Sequence, residues 1–91
     1  MPIIKIPSPL QPYVESQRSL MIEGSTIEEV FSNLTTKYPG IRPHLFDPER
    51  KFRSFISIFL RDVNVKDLKN GMKSRVAEDD ELTVIASMAG G

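Results

Sequence analysis

Only one stretch of this chain repeats its apolar residues at helical spacing, and that single stripe restricts the fold more than any other feature. Ile27, Val30, Phe31, Leu34 and Tyr38 fall at i, i+3, i+4, i+7 and i+11, on one face of a helix. Just ahead of them Ser25-x-x-Glu28 reads as a capping box: the Ser25 hydroxyl serves the Glu28 N–H, and the Glu28 carboxylate returns to the cap N–H. Gly24 turns the chain into this start, and Pro39-Gly40 ends the helix. Burying the stripe supplies roughly 1.5–3 kcal/mol per side chain. A lone apolar helix face needs an apolar surface beneath it, and the rest of the chain has to build that surface from strands.

The other apolar segments are short and mostly alternate with period two. Ile3 to Ile6 reads as a first strand, stopped by Pro7 and Pro9. Ser8 to Glu15 is a proline-rich loop whose Leu10, Tyr13 and Val14 are expected to fold back onto the core. In Gln17 to Glu23, Leu20 and Ile22 take one side and Ser19 and Met21 the other, giving a second strand in a hairpin with the first. Ile41 to Arg50 is a loop with room for one helical turn. Arg53 to Arg61 is the clearest strand, with Ile56, Ile58 and Leu60 on one face and Phe55, Ser57 and Phe59 on the other. A short strand or turn over Val63 to Leu68 and a Lys69-Asn70-Gly71 turn follow. Met72 and Val76 plug the core before the acidic run Glu78 to Glu81, which reads as a solvated turn, and Leu82 to Ala86 is the last strand.

This order predicts an α+β fold, a mixed sheet of four to five strands packed on one main helix. A first hairpin, a helix crossing over and a last strand beside the first make it a β-grasp, or ubiquitin-like, architecture. Residues 1–86 form the domain, and 87–91 are expected to be a flexible C-terminal tail ending in Gly-Gly.

Composition removes most enzymatic options. At 91 residues and 40% hydrophobic, the chain supports one modest core. Twelve basic residues balance twelve acidic ones, which leaves no electrostatic footprint for nucleic acid or an anionic membrane surface. No apolar run reaches the roughly 18 residues of a membrane span, and no signal peptide is visible, so a cytoplasmic location is expected. With no cysteine there is no disulfide, thiolate metal site or cysteine nucleophile, and the single histidine, His44, leaves no His-rich metal site and no triad. His44 between Pro43 and Leu45 reads as chemically idle. Lys69 and Lys73 lack the Gly-rich cradle of a phosphate loop.

The stretches GSTIEEVFSNLTTKYPGI, FISIFLRDVNV and EDDELTVIASMAGG resemble the ubiquitin-like sulfur carriers, across about Ile4 to Gly91. That group includes the molybdopterin-synthase small subunit, the thiamine sulfur carrier and a carrier feeding cysteine synthesis. The N-terminal IPSPLQPYV and the stretch HLFDPERKFRSFISIFL are most similar to the cysteine-biosynthesis branch. Where such proteins often read Asp-Gly-Asp before the last strand, this chain has Glu78-Asp79-Asp80, which matters if the middle residue needs a positive φ.

The resemblance implies a chemistry. A ubiquitin-activating-like adenylyltransferase/sulfurtransferase would adenylate the Gly91 carboxylate with ATP, and sulfur would replace AMP to give a thiocarboxylate. A sulfur-acceptor enzyme, cysteine synthase-like or a molybdopterin-synthase large subunit, would then take the sulfur. The chain would be a substrate and not an enzyme, holding no tightly bound cofactor and no metal. Gly90 and Gly91, behind Met88 and Ala89, are thin enough to thread a narrow channel. By strand alternation Phe59 and Ile85 face outward, with Ile3 and Met21 as neighbours, and form a partner-binding patch unless the proline-rich loop carrying Leu10 and Tyr13 covers Phe59. A ubiquitin-like protein modifier joined to lysines, and a plain binding module, are the competing classes.

Overall fold

The computed structural model describes residues 1–87. Strands β1 (Ile3–Lys5) and β2 (Ser19–Met21) pair antiparallel, with Ile3 opposite Met21 and Lys5 opposite Ser19. Helix α1 (Ile27–Lys37) and a single turn, α2 (Arg42–Leu45), come next. The chain then forms β3 (Ile56–Leu60), the two-residue β4 (Val63–Asn64) and β5 (Glu81–Ala86). In space the five strands run β2-β1-β5-β3-β4, so the last strand lies beside the first, parallel to it, and antiparallel to β3. This is the mixed sheet and main helix of the expected β-grasp.

Period-two alternation decides the two sheet faces. Ile4, Leu20, Ile56, Ile58, Leu60, Leu82 and Val84 are all buried, whereas Met21 and Ile85 stay exposed. Against the buried face α1 sets Ile27, Val30, Phe31 and Leu34, none more than 1% exposed. The helix start presses so closely on Gly24 that a Cβ there would lie 2.5 Å from Val30 Cγ2 and 2.8 Å from its backbone nitrogen. Gly24 is therefore required for contact as well as for the turn.

Several local expectations need correcting. The cap is Thr26 and not Ser25: Thr26 Oγ1 accepts from the Glu29 N–H at 3.1 Å, and Glu29 Oε1 accepts from the Ser25 N–H at 2.8 Å. Both residue pairs fit the capping pattern. The Ser25 carbonyl, however, is held by the Val76 N–H and Thr26 bridges Arg75, so the helix begins one residue later. The proline-rich loop is a 3-10 helix, Ser8–Val14, since the fixed φ of proline suits that geometry. It buries Leu10 and Val14, but Tyr13 stays 38% exposed and stacks on His44 with ring centroids 3.9 Å apart. Phe55, placed outward by alternation, packs against the core because the chain turns before β3 begins at Ile56. Tyr38 ends the helix stripe half-buried, its hydroxyl accepting from Gln17 Nε2 at 3.1 Å.

Leu34 is fully buried at the centre of the stripe. Leu34→Ala is expected to cost roughly 2–5 kcal/mol through lost transfer energy and the cavity left behind. Urea unfolding with an unchanged midpoint would remove Leu34 from the core.

Candidate functional site

The site begins with how firmly β5 is held. Ile3, Ile4 and Lys5 of β1 sit opposite Glu81, Leu82 and Thr83, while Ile56 through Leu60 of β3 sit opposite Ala86 back to Leu82. The strand is thus bonded on both edges, with Leu82 and Val84 buried beneath it. After Ala86 one more bond follows, from the Ser87 N–H to the Phe55 carbonyl at 2.8 Å. The residues expected to thread and react, Met88, Ala89, Gly90 and Gly91, lie outside the described residues, as does the flexibility expected of them.

At its other end β5 is tied down by Asp80, which is not part of a solvated turn. Asp80 is 8% exposed, its Oδ2 accepts from the Ala77 N–H at 2.7 Å, and its Oδ1 accepts from the Arg61 guanidinium. Its carbonyl receives the Ile3 N–H at 3.0 Å, which joins β1 to the same corner. The alternation held the signal: Asp80, Leu82 and Val84 share the inward side. A run of four carboxylates hides which one turns in. Among the described residues the positive-φ residues outside glycine are Glu15, Ser16, Arg50 and Arg61, so Asp79 does not adopt the conformation for which a glycine would be selected.

The outward face carries all four residues of the expected patch, but the register divides them. Phe59 lies opposite Thr83 and Ile85 opposite Ser57, which makes the two diagonal neighbours and not a facing pair. Ile3 and Met21 face each other level with Glu81, one row away from the row that holds Lys5, Thr83 and Phe59. Lys5 Nζ and Glu81 Oε1 form an ion pair at 3.3 Å in between. Met21 is 60% and Ile85 41% exposed; Ile3 and Phe59 are half-buried. Leu10 is in the core and Tyr13 is stacked on His44, so the side chains that could have covered Phe59 are committed elsewhere.

Among the described residues no three His, Cys, Asp or Glu side chains gather as a metal site, and no helix is long and apolar enough to cross a membrane. What this arrangement offers is a rigid strand delivering its C-terminal extension from the edge of a partly apolar sheet face.

That architecture is the ubiquitin-like β-grasp. Residues 4–91 match the ThiS family, and the chain belongs to it. It is 32% identical over 90 residues to the sulfur carrier protein CysO of Mycobacterium tuberculosis, covering 97% of this chain and 96% of that one. The crystal structure of M. tuberculosis CysO superposes with a TM-score of 0.86 at 29% identity, over 97% of this chain and all of the other. The Amycolatopsis orientalis BexX/CysO complex gives 0.87 at 26% identity, over the whole of both chains. A likeness of fold alone extends to the small archaeal modifier protein 1 of Methanosarcina acetivorans, with a TM-score of 0.85 at 21% identity over 99% of this chain and 95% of that one.

Removing the Asp80 carboxylate should loosen the corner where β5 begins. Asp80→Ala leaves the Ala77 N–H without its acceptor and is expected to cost about 1–3 kcal/mol, whereas Asp80→Asn keeps an acceptor and should cost less. The Arg61 side chain is 64% exposed, so little of the loss comes from the ion pair. Equal unfolding midpoints for the parent and both variants would contradict this role for Asp80.

Proposed function

We propose that this protein is a sulfur carrier whose Gly91 carboxylate is adenylated and then converted to a thiocarboxylate, and that it supplies sulfur for cysteine biosynthesis. The observation that carries the reading is membership of the ThiS family across residues 4–91, with 32% identity to a sulfur carrier protein CysO over nearly the full length of both chains. A carboxylate is a poor electrophile until one of its oxygens becomes part of a leaving group. In the first step a carboxylate oxygen attacks the α-phosphorus of ATP and pyrophosphate departs. In the second a sulfur nucleophile attacks the acyl carbon and expels AMP.

The chain itself supplies position. The firmly bonded β5 fixes where the extension starts, and glycines at 90 and 91 let the backbone enter a narrow site without a Cβ beside the reacting carbon. The partners supply the chemistry: an adenylyltransferase that binds ATP, and an acceptor that takes the sulfur. On this reading the chain is not an enzyme, binds no cofactor of its own, and works in the cytoplasm where ATP is available. A CysO of the same fold has been crystallised in complex with BexX, which supports docking of such a carrier on a partner protein.

Gly91→Ala should fold normally and be adenylated on the order of 100-fold more slowly, the scale of loss from misplacing a reacting group by about 1 Å. Pyrophosphate exchange with the cognate activating enzyme checks this; an unchanged rate would defeat the carrier reading. Phe59→Glu should keep the parent melting temperature and weaken binding to that enzyme by about tenfold or more, 1.4 kcal/mol. Titration calorimetry giving equal affinities would take Phe59 out of the interface.

A further inference from the structure

On the helix side of the molecule, away from the outward sheet face, an open groove of about 970 Å³ runs between α1 and the segment linking α2 to β3. Its floor is aromatic. Phe46 and Phe52 stack with centroids 4.6 Å apart, and Phe52 meets the buried Phe31 edge-on at 5.4 Å. Its rim is basic, with Arg42, Arg50, Lys51 and Arg53 set against Glu28 and Asp47. The Asp47 carboxylate is already engaged, accepting from the Glu49 N–H at 2.9 Å and the Lys51 N–H at 3.0 Å. The ion pairs among the described residues are Lys5–Glu81 and Arg61–Asp80, so none of the four rim cations has an acidic partner there. A chain with no net charge therefore gathers a third of its twelve basic residues round one apolar trough.

We propose that this groove is a docking site for an acidic segment of a partner protein: an extended stretch of Asp and Glu around one or two apolar side chains. The apolar residues would lie on the half-buried rings of Phe46 and Phe52, and the carboxylates would meet Arg50 and Lys51 at the rim. The wall that presents these two cations is a closed loop: the Asp47 N–H bonds the Lys51 carbonyl at 2.8 Å, the Arg50 N–H bonds the Asp47 carbonyl at 2.9 Å, and Phe46 bridges Phe52. Little ordering cost remains to be met on binding.

Charge complementarity selects an acidic occupant, and the acidic side chain on the same wall selects a peptide over a nucleic acid. Glu28 on the wall opposes a phosphate backbone but can accept a peptide N–H. The groove also lies near the root of the C-terminal extension. Arg53 is two residues before Phe55, at most about 7 Å along the chain, and the Phe55 carbonyl holds the Ser87 N–H at 2.8 Å. A partner working on the extension comes within reach of the groove. The proposal itself rests on the groove and not on sulfur transfer.

The test is fluorescence anisotropy of the whole chain with a labelled peptide, Glu-Asp-Leu-Glu-Phe-Asp-Glu, together with amide ¹⁵N–¹H spectra. Saturable binding is expected, weakening at high salt as rim charges are screened. Shifts should cluster at residues 42–53 and along the facing side of α1, with Phe59 and Ile85 unmoved. Arg50→Glu combined with Lys51→Glu should reduce affinity at least about tenfold, and Lys51→Glu alone by a smaller factor, both with the parent melting temperature. Absence of saturable binding would overturn the proposal, as would equal binding of a peptide with lysines for its acids, or shifts confined to the sheet face. Tighter binding of a single-stranded oligoribonucleotide at the same residues would also overturn it, by assigning the groove to phosphate.

Discussion

Strand β5 is bonded on both edges, parallel to β1 and antiparallel to β3, and among the described residues no other strand joins the two halves of the sheet. The parallel contact brings residues 3–5 against residues 81–83, so nearly the whole chain is closed into one loop. Such non-local pairing is entropically expensive and needs compensation from what lies between. The compensation comes from α1, which covers the buried face that β1, β3 and β5 share, and from the Asp80 corner, which ties the Ile3 N–H, the Ala77 N–H and Arg61 together. The same closure gives the extension after Ala86 a fixed origin. The fold and the starting point of the C-terminal extension therefore depend on one strand.

Where burial decides the structure, the sequence was legible. Ile27 to Leu34 at helical spacing and Ile56 to Leu60 in alternation each sort cleanly into an apolar and a polar side, because a one-residue slip would turn the whole set the wrong way. Features decided by local hydrogen-bond competition were harder to read. Ser25 and Thr26 offer equivalent caps, and the choice between them is made by residues 74–76, some fifty positions away. Prolines at 7, 9 and 12 read as a loop, although a 3-10 helix accepts them. The inward turn of Asp80 was available from alternation but masked by the like charges around it. For the site, the outward residues were placed on the correct face, while their spacing across it depended on strand register, which no single strand reveals.

Register also bears on how the two exposed surfaces relate. The sheet face is not one apolar patch but two pairs, Phe59 with Ile85 and Ile3 with Met21, separated by Lys5, Glu81 and Thr83. The groove between α1 and the loop at 46–52 lies on the helix side and draws its charge from a different set of residues. Binding at one need not displace binding at the other. Were the chain passed from an activating enzyme to an acceptor, as proposed, such separation would let each recognise its own surface.

If Gly91 is activated as proposed, chain reach constrains the partner that does it. Beyond Ser87, the four residues Met88 to Gly91 span at most about 14 Å when fully extended. On the proposed adenylation of Gly91, the nucleotide would lie within about that distance of the point where the Phe55 carbonyl holds Ser87. Ile85 is two residues from that point, and Phe59 on β3 lies opposite Thr83, which is four residues from it. Ile3 and Met21 sit level with Glu81, six residues and roughly 20 Å back along the strand. A compact interface centred on the proposed activation site thus takes in Ile85 and Phe59 before it can take in the other pair, and only a partner spread along the full length of β5 touches all four.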